Sequence, residues 1–234
     1  MKVGVIQSNY IPWRGYFDFI SSVDRFVIYD DVQYSKGSWR NRNQLRYPDG
    51  LKWITLPVKV NLGMNINEVK LKDDSWRKSH KDQLKASLGK TPHFKDVMAI
   101  WEQASEINSE YLTEINISFI KTICTYLGIK TEIVRSEPYQ LSGTKTERLM
   151  ELFTKLGATK YLSGPAAESY LDLDLFRKNN IDLYYKAYDY KPYAQQFPGF
   201  EPAVTVLDLI ANLGQESVNF FKSTTADKPE LICS

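Results

Sequence analysis

KVGVIQSNYIPWRGYFDFISSVDRFVIYDD, Lys2 to Asp31, is the stretch that decides the fold. Lys2 to Ile6 is a short β-branched apolar run, as expected of a buried strand. Gln7 to Arg14 carries Asn9, Pro12 and other polar residues and reads as a loop. Gly15 to Val23 places Tyr16, Phe19, Ile20 and Val23 at helical spacing. Arg25 to Tyr29 is a second apolar run, ending in Asp30-Asp31. Strand, loop, helix, strand is the opening of a βαβ unit and implies a parallel pair.

Beyond this unit the pattern continues. Val32 to Gly50 is polar and rich in Arg and Asn. Trp53 to Val60 reads as a third strand, with Pro57 marking an edge or bulge, and Ile66 to Leu71 alternates as a half-exposed strand. Helices are expected over 76–88, 94–104 and 111–127, forming a helical cap or lobe at about 75–128 that sequence alone does not place. A strand at 131–135, a helix at 144–156 ended by Gly157, strands at 159–162 and 182–188, and a helix at 204–213 complete the series. The expectation is an α/β protein with a mostly parallel sheet flanked by helices and a Rossmann-like N-terminal half. It is read as one domain over 1–225, with 226–234 as a loose tail.

Composition sets outer bounds. The chain has 234 residues, 43% hydrophobic and 25% charged, which suits a globular protein able to bury a core without staples. A net charge of +2 announces neither a nucleic-acid nor a membrane partner. Cys124 and Cys233 are too few and too far apart for a disulfide framework or a Cys-based metal site, a usage that fits a reducing, cytoplasmic setting. No run reaches the length of a membrane span or has the form of a secretory signal. The 15 Tyr, 11 Phe and 5 Trp admit two readings, an aromatic core or a half-wet pocket.

The candidate chemistry concentrates in the first ninety positions. Gln7, Tyr10, Trp13, Arg14, Gly15 and Tyr16 follow the first strand and open the first helix, where ligands bind in open α/β sheets. Trp13 and Tyr16 offer stacking faces and Arg14 a phosphate-binding fork. The alternative makes the aromatics core anchors and Arg14 a surface charge. Asp30 or Asp31 offers a carboxylate for a hydroxyl-bearing ligand, a cation or a proton, or else forms an ordinary turn pair. Trp39, Arg40, Asn41, Arg42 and Asn43 supply donors suited to a phosphorylated or polyhydroxylated ligand. Trp76 and His80 are four apart and share a helix face. A lone histidine is either a proton-transfer group or a satisfied core residue. Ser163-Gly164-Pro165, with Tyr170 nearby, forms a second loop, and it lacks the pattern of a nucleophile elbow. Tyr193, Gln195 and Gln196 sit in an aromatic loop able to close over a pocket. No phosphate-loop, dinucleotide or zinc-protease motif is present, and the residues specify no cofactor and no metal.

In order along the chain, Gln7, Tyr10, Pro12-Trp13, Gly15-Tyr16-Phe17, Asp30-Asp31, Asn41-Arg42, Trp76 with His80, Ser163-Gly164 and Leu207-Asp208 resemble the WbqC-like family nearly end to end. One departure is Ser8, where the family pattern has proline. The resemblance implies a place in bacterial surface-polysaccharide (O-antigen) gene clusters, whose products build and decorate nucleotide-linked amino sugars. From that context we expect an N-acyl or aminoacyl transferase acting on such a sugar, with the acyl donor unspecified. Arg14 and Arg42 would take the diphosphate, and His80, Asp30 or Asp31 the amine proton. The alternatives are a non-catalytic nucleotide-sugar binder or glycosyltransferase accessory protein, and a transferase using aminoacyl-tRNA as donor. A fold-level analogy to nucleotidyltransferases with the HIGH signature also exists, with Trp13-Arg14-Gly15-Tyr16 in place of the histidines.

Overall fold

The computed structural model describes residues 1–230. Its centre is β1 (Lys2–Ile6), which pairs in parallel with β2 (Arg25–Ile28) on one side. On the other side β1 pairs with β8 (Lys160–Ser163), again in parallel. β7 (Glu132–Arg135) extends the sheet beyond β2, and β9 (Asp182–Tyr185) beyond β8. Lys228–Pro229, within the stretch read as a loose tail, adds an antiparallel edge strand, β10, along Tyr184 and Tyr185. The described part of that tail is tied down by its own backbone pairing. Cys233 lies outside the described residues.

The sheet order is therefore β10-β9-β8-β1-β2-β7. The chain winds outward from β1 through β2 to β7, then crosses back to β8 and winds outward again to β9. Side chains alternate along β1. Val3 and Val5 join one hydrophobic cluster with α5 (Lys145–Leu156) and α6 (Leu173–Lys178). The other face carries α1 (Arg14–Ser21), α2 (Ser75–Leu88), α3 (Phe94–Ser105), α4 (Leu112–Tyr126) and α7 (Val206–Leu213). The central helices thus share one continuous core with α1 and α7. Gly4 makes this possible, because a Cβ there would lie 2.4 Å from Phe19 Cε1, so α1 can seat its ring directly on β1.

Two local expectations are corrected. The polar stretch before Gly50 contains β3 (Arg42–Tyr47), which forms a hairpin with β4 (Gly50–Thr55). Trp53 to Val60 is not one strand. It breaks at Pro57, which lacks an N–H for a ladder, and resumes as β5 (Val58–Lys59), paired with β6 (Lys70–Leu71). A 3₁₀ turn at Ile66–Glu68 replaces the first half of the strand expected there.

A buried ion cluster locks the two ends of the chain together. Lys186 Nζ lies 3.0 Å from Asp18 on α1 and 2.9 Å from Asp227, which also takes Lys2 at 3.2 Å. Asp18 accepts further bonds from Tyr190 Oη and Ser223 N. Breaking a buried pair by removing one partner strands the other charge. Lys186→Met is expected to destabilise the fold by about 3–5 kcal/mol, seen as a lower urea midpoint. An unchanged midpoint would show that these carboxylates are hydrated in solution.

Candidate functional site

Because the connections leaving β1 and entering β8 run over opposite faces, a crevice opens between the carboxyl ends of these strands. This is where open α/β sheets hold ligands. A cleft of about 730 Å³ lies there. Gln7, at the end of β1, forms part of its wall, and Tyr29 and Asp31 line it just past β2. The first turn of α5 contributes Thr144, Lys145 and Arg148, and the far side carries Tyr170, 65% exposed. Gln33 and Asn65, whose backbones form an isolated bridge, close the rim.

Asp31 and Arg148 form the charged centre of this wall. Asp31 accepts from Ser136 Oγ and from Arg148 Nη2, and the Arg148 guanidinium lies 5.5 Å from the Tyr29 ring centroid. Burial pushes the Tyr29 hydroxyl up to about 12, so it stays a neutral donor. Lys145 is exposed, and its backbone sits at φ 48°, a conformation L-residues other than Asn and Asp seldom adopt. The arrangement offers a carboxylate, a guanidinium, an ammonium, hydroxyls and side-chain amides, a set suited to a polyhydroxylated, anionic ligand.

A second cavity, of about 290 Å³, lies on the other side of the loop after β1 and is lined by Asn9, Pro12, Trp13, Trp39, Asn43 and Ala203. Its loop is strained, since Ile11, β-branched and buried, has φ 36°. The buried Asn43 amide holds that turn by donating to the carbonyls of Tyr10 (3.1 Å) and Ile11 (2.9 Å). Gly15 permits Trp13 to fold over the helix start, where a Cβ would come within 2.3 Å of the indole.

Of the residues expected to bind or react, Gln7, Asp31 and Tyr170 line the cleft, and Trp13, Trp39 and Asn43 the second cavity. Arg40 joins the two walls through Gln7 and Asn9. Most of the others serve the framework. His80 is 2% exposed on the inner face of α2. Its Nε2 faces the Thr55 carbonyl at 3.1 Å, which can only accept, so Nε2 carries the proton and Nδ1 accepts from Tyr10 Oη at 2.8 Å. With both nitrogens taken and no opening beside it, His80 is a core residue. Trp76, expected in the site, packs edge-on to His80 and Trp101. Much of the aromatic surplus is accordingly core.

Asp30 is fully buried, accepting from Ser8 N at 2.8 Å and from Thr113 Oγ1. It fastens the loop after β1 to α4, and burial raises its pKa against those hydrogen bonds. A proline at position 8 would lack the N–H that Ser8 uses here. Arg14 is buried under Tyr190, Tyr193 and Phe200, its Nη1 donates to the carbonyls of Lys191 and Phe220, and it lines neither cavity. Tyr16 Oη donates to the Gln7 carbonyl. Asn41 bonds Tyr34 Oη and the Leu56 carbonyl, and Arg42 stacks on Trp53 at 4.0 Å. Ser163 is buried against Tyr161 Oη, and Gly164 precedes a 3₁₀ turn. Gln195 is bound to Arg46 and Asp208, and the same connection brings Ala203 to the wall of the second cavity. Thr144, Lys145 and Arg148 escaped the sequence reading. One signal pointed to them: a crossover helix starts at the carboxyl edge of a parallel sheet.

Among the described residues no cluster of three or more His, Cys, Asp or Glu is placed to hold a metal ion. No helix there is long and apolar enough to cross a membrane.

The buried imidazole couples stability to pH. Desolvation holds His80 down at about 4, against 6.5 for the unperturbed ring, so between these values the unfolded chain binds a proton the folded one does not. This contribution is complete above pH 6.5 and is lost as pH falls toward 4, by roughly 3 kcal/mol. Gln can accept from Tyr10 and donate to Thr55 without titrating. His80→Gln is therefore expected to flatten the fall of melting temperature between pH 6.5 and 4.5. Parallel curves for the two proteins would place the titration elsewhere.

No solved structure matches the chain. An uncharacterized protein of Mycobacterium tuberculosis, Rv1507c, is 42% identical over 226 residues, spanning 94% of this chain and 97% of that protein. The WbqC-like protein family matches residues 7–220, which include β1's loop, the Asp31 wall, the start of α5 and the whole of α7. The chain belongs to the WbqC-like family.

Proposed function

We propose that this protein acts in bacterial surface-polysaccharide synthesis by holding a nucleotide-linked amino sugar, with the sugar in the cleft at the end of β1. The observation that carries this reading is the Asp31–Arg148 pair at the wall of a polar cleft at the switch point of the sheet. A sugar brings hydroxyls that must find partners once desolvated. Gln7, Gln33, Asn65 and Thr144 offer them here, while Asp31 suits an ammonium and Lys145 an anionic group.

The acyl or aminoacyl transfer expected from the sequence needs a base for the amine. His80 cannot reach a ligand, and the Asp31 carboxylate oxygens are already held by Ser136 and Arg148. The geometry thus favours recognition of the sugar over proton abstraction from it.

Calorimetry against nucleotide-linked amino sugars tests this. Arg148→Gln is expected to weaken binding by roughly tenfold or more, in line with loss of a charge-assisted contact. If no such sugar binds the intact chain, the reading is wrong. If adding an acyl-CoA or aminoacyl-tRNA gives N-acylated product, and Asp31→Asn abolishes it, the transferase replaces the binder.

A further inference from the structure

Arg40 stands between the two cavities. One terminal nitrogen donates to Asn9 Oδ1 at 2.9 Å and the other to Gln7 Oε1. Gln7 lines the switch-point cleft and Asn9 the tryptophan cavity. Both acceptors are neutral amide oxygens. The nearby Asp30 carboxylate spends its oxygens on Ser8 and Thr113. A guanidinium has five N–H donors, so Arg40 keeps donors to spare, and among the described residues its charge is met by no direct ion pair.

The chemistry of the tryptophan cavity differs from that of the cleft. No charged side chain lines it. Its side-chain amides are nearly used up: Asn43 gives its amide to two carbonyls and accepts from Gln44 N, which leaves Asn9 Nδ2 and the indole N–H groups of Trp13 and Trp39 as donors and few acceptors for hydroxyls. A hexose ring would bury several hydroxyls there without partners, at a cost for each. A nucleobase is flatter, needs fewer hydrogen bonds, and stacks on indole. Trp39 is 43% exposed and leans on Trp53, which carries Arg42 on its face, so one face of the cavity is a braced aromatic platform.

We infer that the cavity lined by Trp13 and Trp39 is a nucleobase site, and that Arg40 binds the phosphates linking that base to the sugar in the cleft. This rests on the nucleotide-sugar reading and assigns the two ends of the ligand to separate cavities. Asn9 Nδ2 then meets an acceptor on the base edge, and the neutral walls exclude the phosphates from the base cavity.

The test uses the full chain, with quenching of tryptophan fluorescence by uridine, by the diphosphates of uridine, thymidine, adenosine, cytidine and guanosine, and by a sugar conjugate of whichever diphosphate binds best. At least one diphosphate is expected to bind without its sugar. Trp39→Ala, at an exposed position that the fold tolerates, should weaken that diphosphate and its sugar conjugate alike by roughly five- to hundredfold, and Trp39→Phe should retain most of the affinity. Arg40→Gln should weaken the diphosphate about tenfold, leave the nucleoside unchanged, and reduce the salt dependence of binding. Arg148→Gln should affect the sugar conjugate alone. If the conjugate binds and responds to Arg148→Gln but Trp39→Ala is silent, the base site is overturned and the cleft reading stands. If no diphosphate binds, the base site is overturned on its own evidence.

Discussion

The structure depends on the position of β1, buried between β2 and β8 with crossovers diverging from it to opposite faces. Right-handed crossover connections leave few ways to arrange this. Moving outward through β2 carries α1 over one face, and the return from β7 carries α5 over the other. A cleft therefore opens beside the carboxyl end of β1. Gly4 lets α1 approach close enough to seal the core beneath that rim, through the direct contact of Phe19 with the strand.

The loop leaving β1 is fixed by buried polar groups that resemble catalytic residues when seen only as letters. Asp30 pins Ser8, Asn43 pins the strained Ile11 turn, Tyr16 takes the Gln7 carbonyl, and Tyr10 is held by His80. Each spends its hydrogen-bonding capacity inward, because an unpaired buried group costs more than a made bond returns. The consequence for function is indirect. A loop fastened at so many points presents Gln7 to one cavity and Asn9, Pro12 and Trp13 to the other in a fixed relation, and Arg40 bridges the two.

The same burial explains where sequence reading failed. Spacing placed Trp76 and His80 on one helix face correctly, but spacing does not say whether that face looks inward. Arg14 follows a strand at the favoured edge, and only the packing of Tyr190, Tyr193 and Phe200, nearly two hundred positions later, shows it enclosed. β3 was invisible because Arg42, Asn43, Gln44 and Arg46 are polar, and their pairing with β4 together with Asn43's clamp supplies what apolar alternation normally does. Arg148 looked like any exposed helix residue until strand order set its helix beside β1.

By itself the sequence determined the alternation of strands and helices, the parallel opening unit and the family, because these follow from local periodicity and ordered motifs. Tertiary structure alone decided which charged and aromatic residues reach an opening. Side-chain exposure is set by partners distant in the chain, and the return crossover to β8 determines which of them meet.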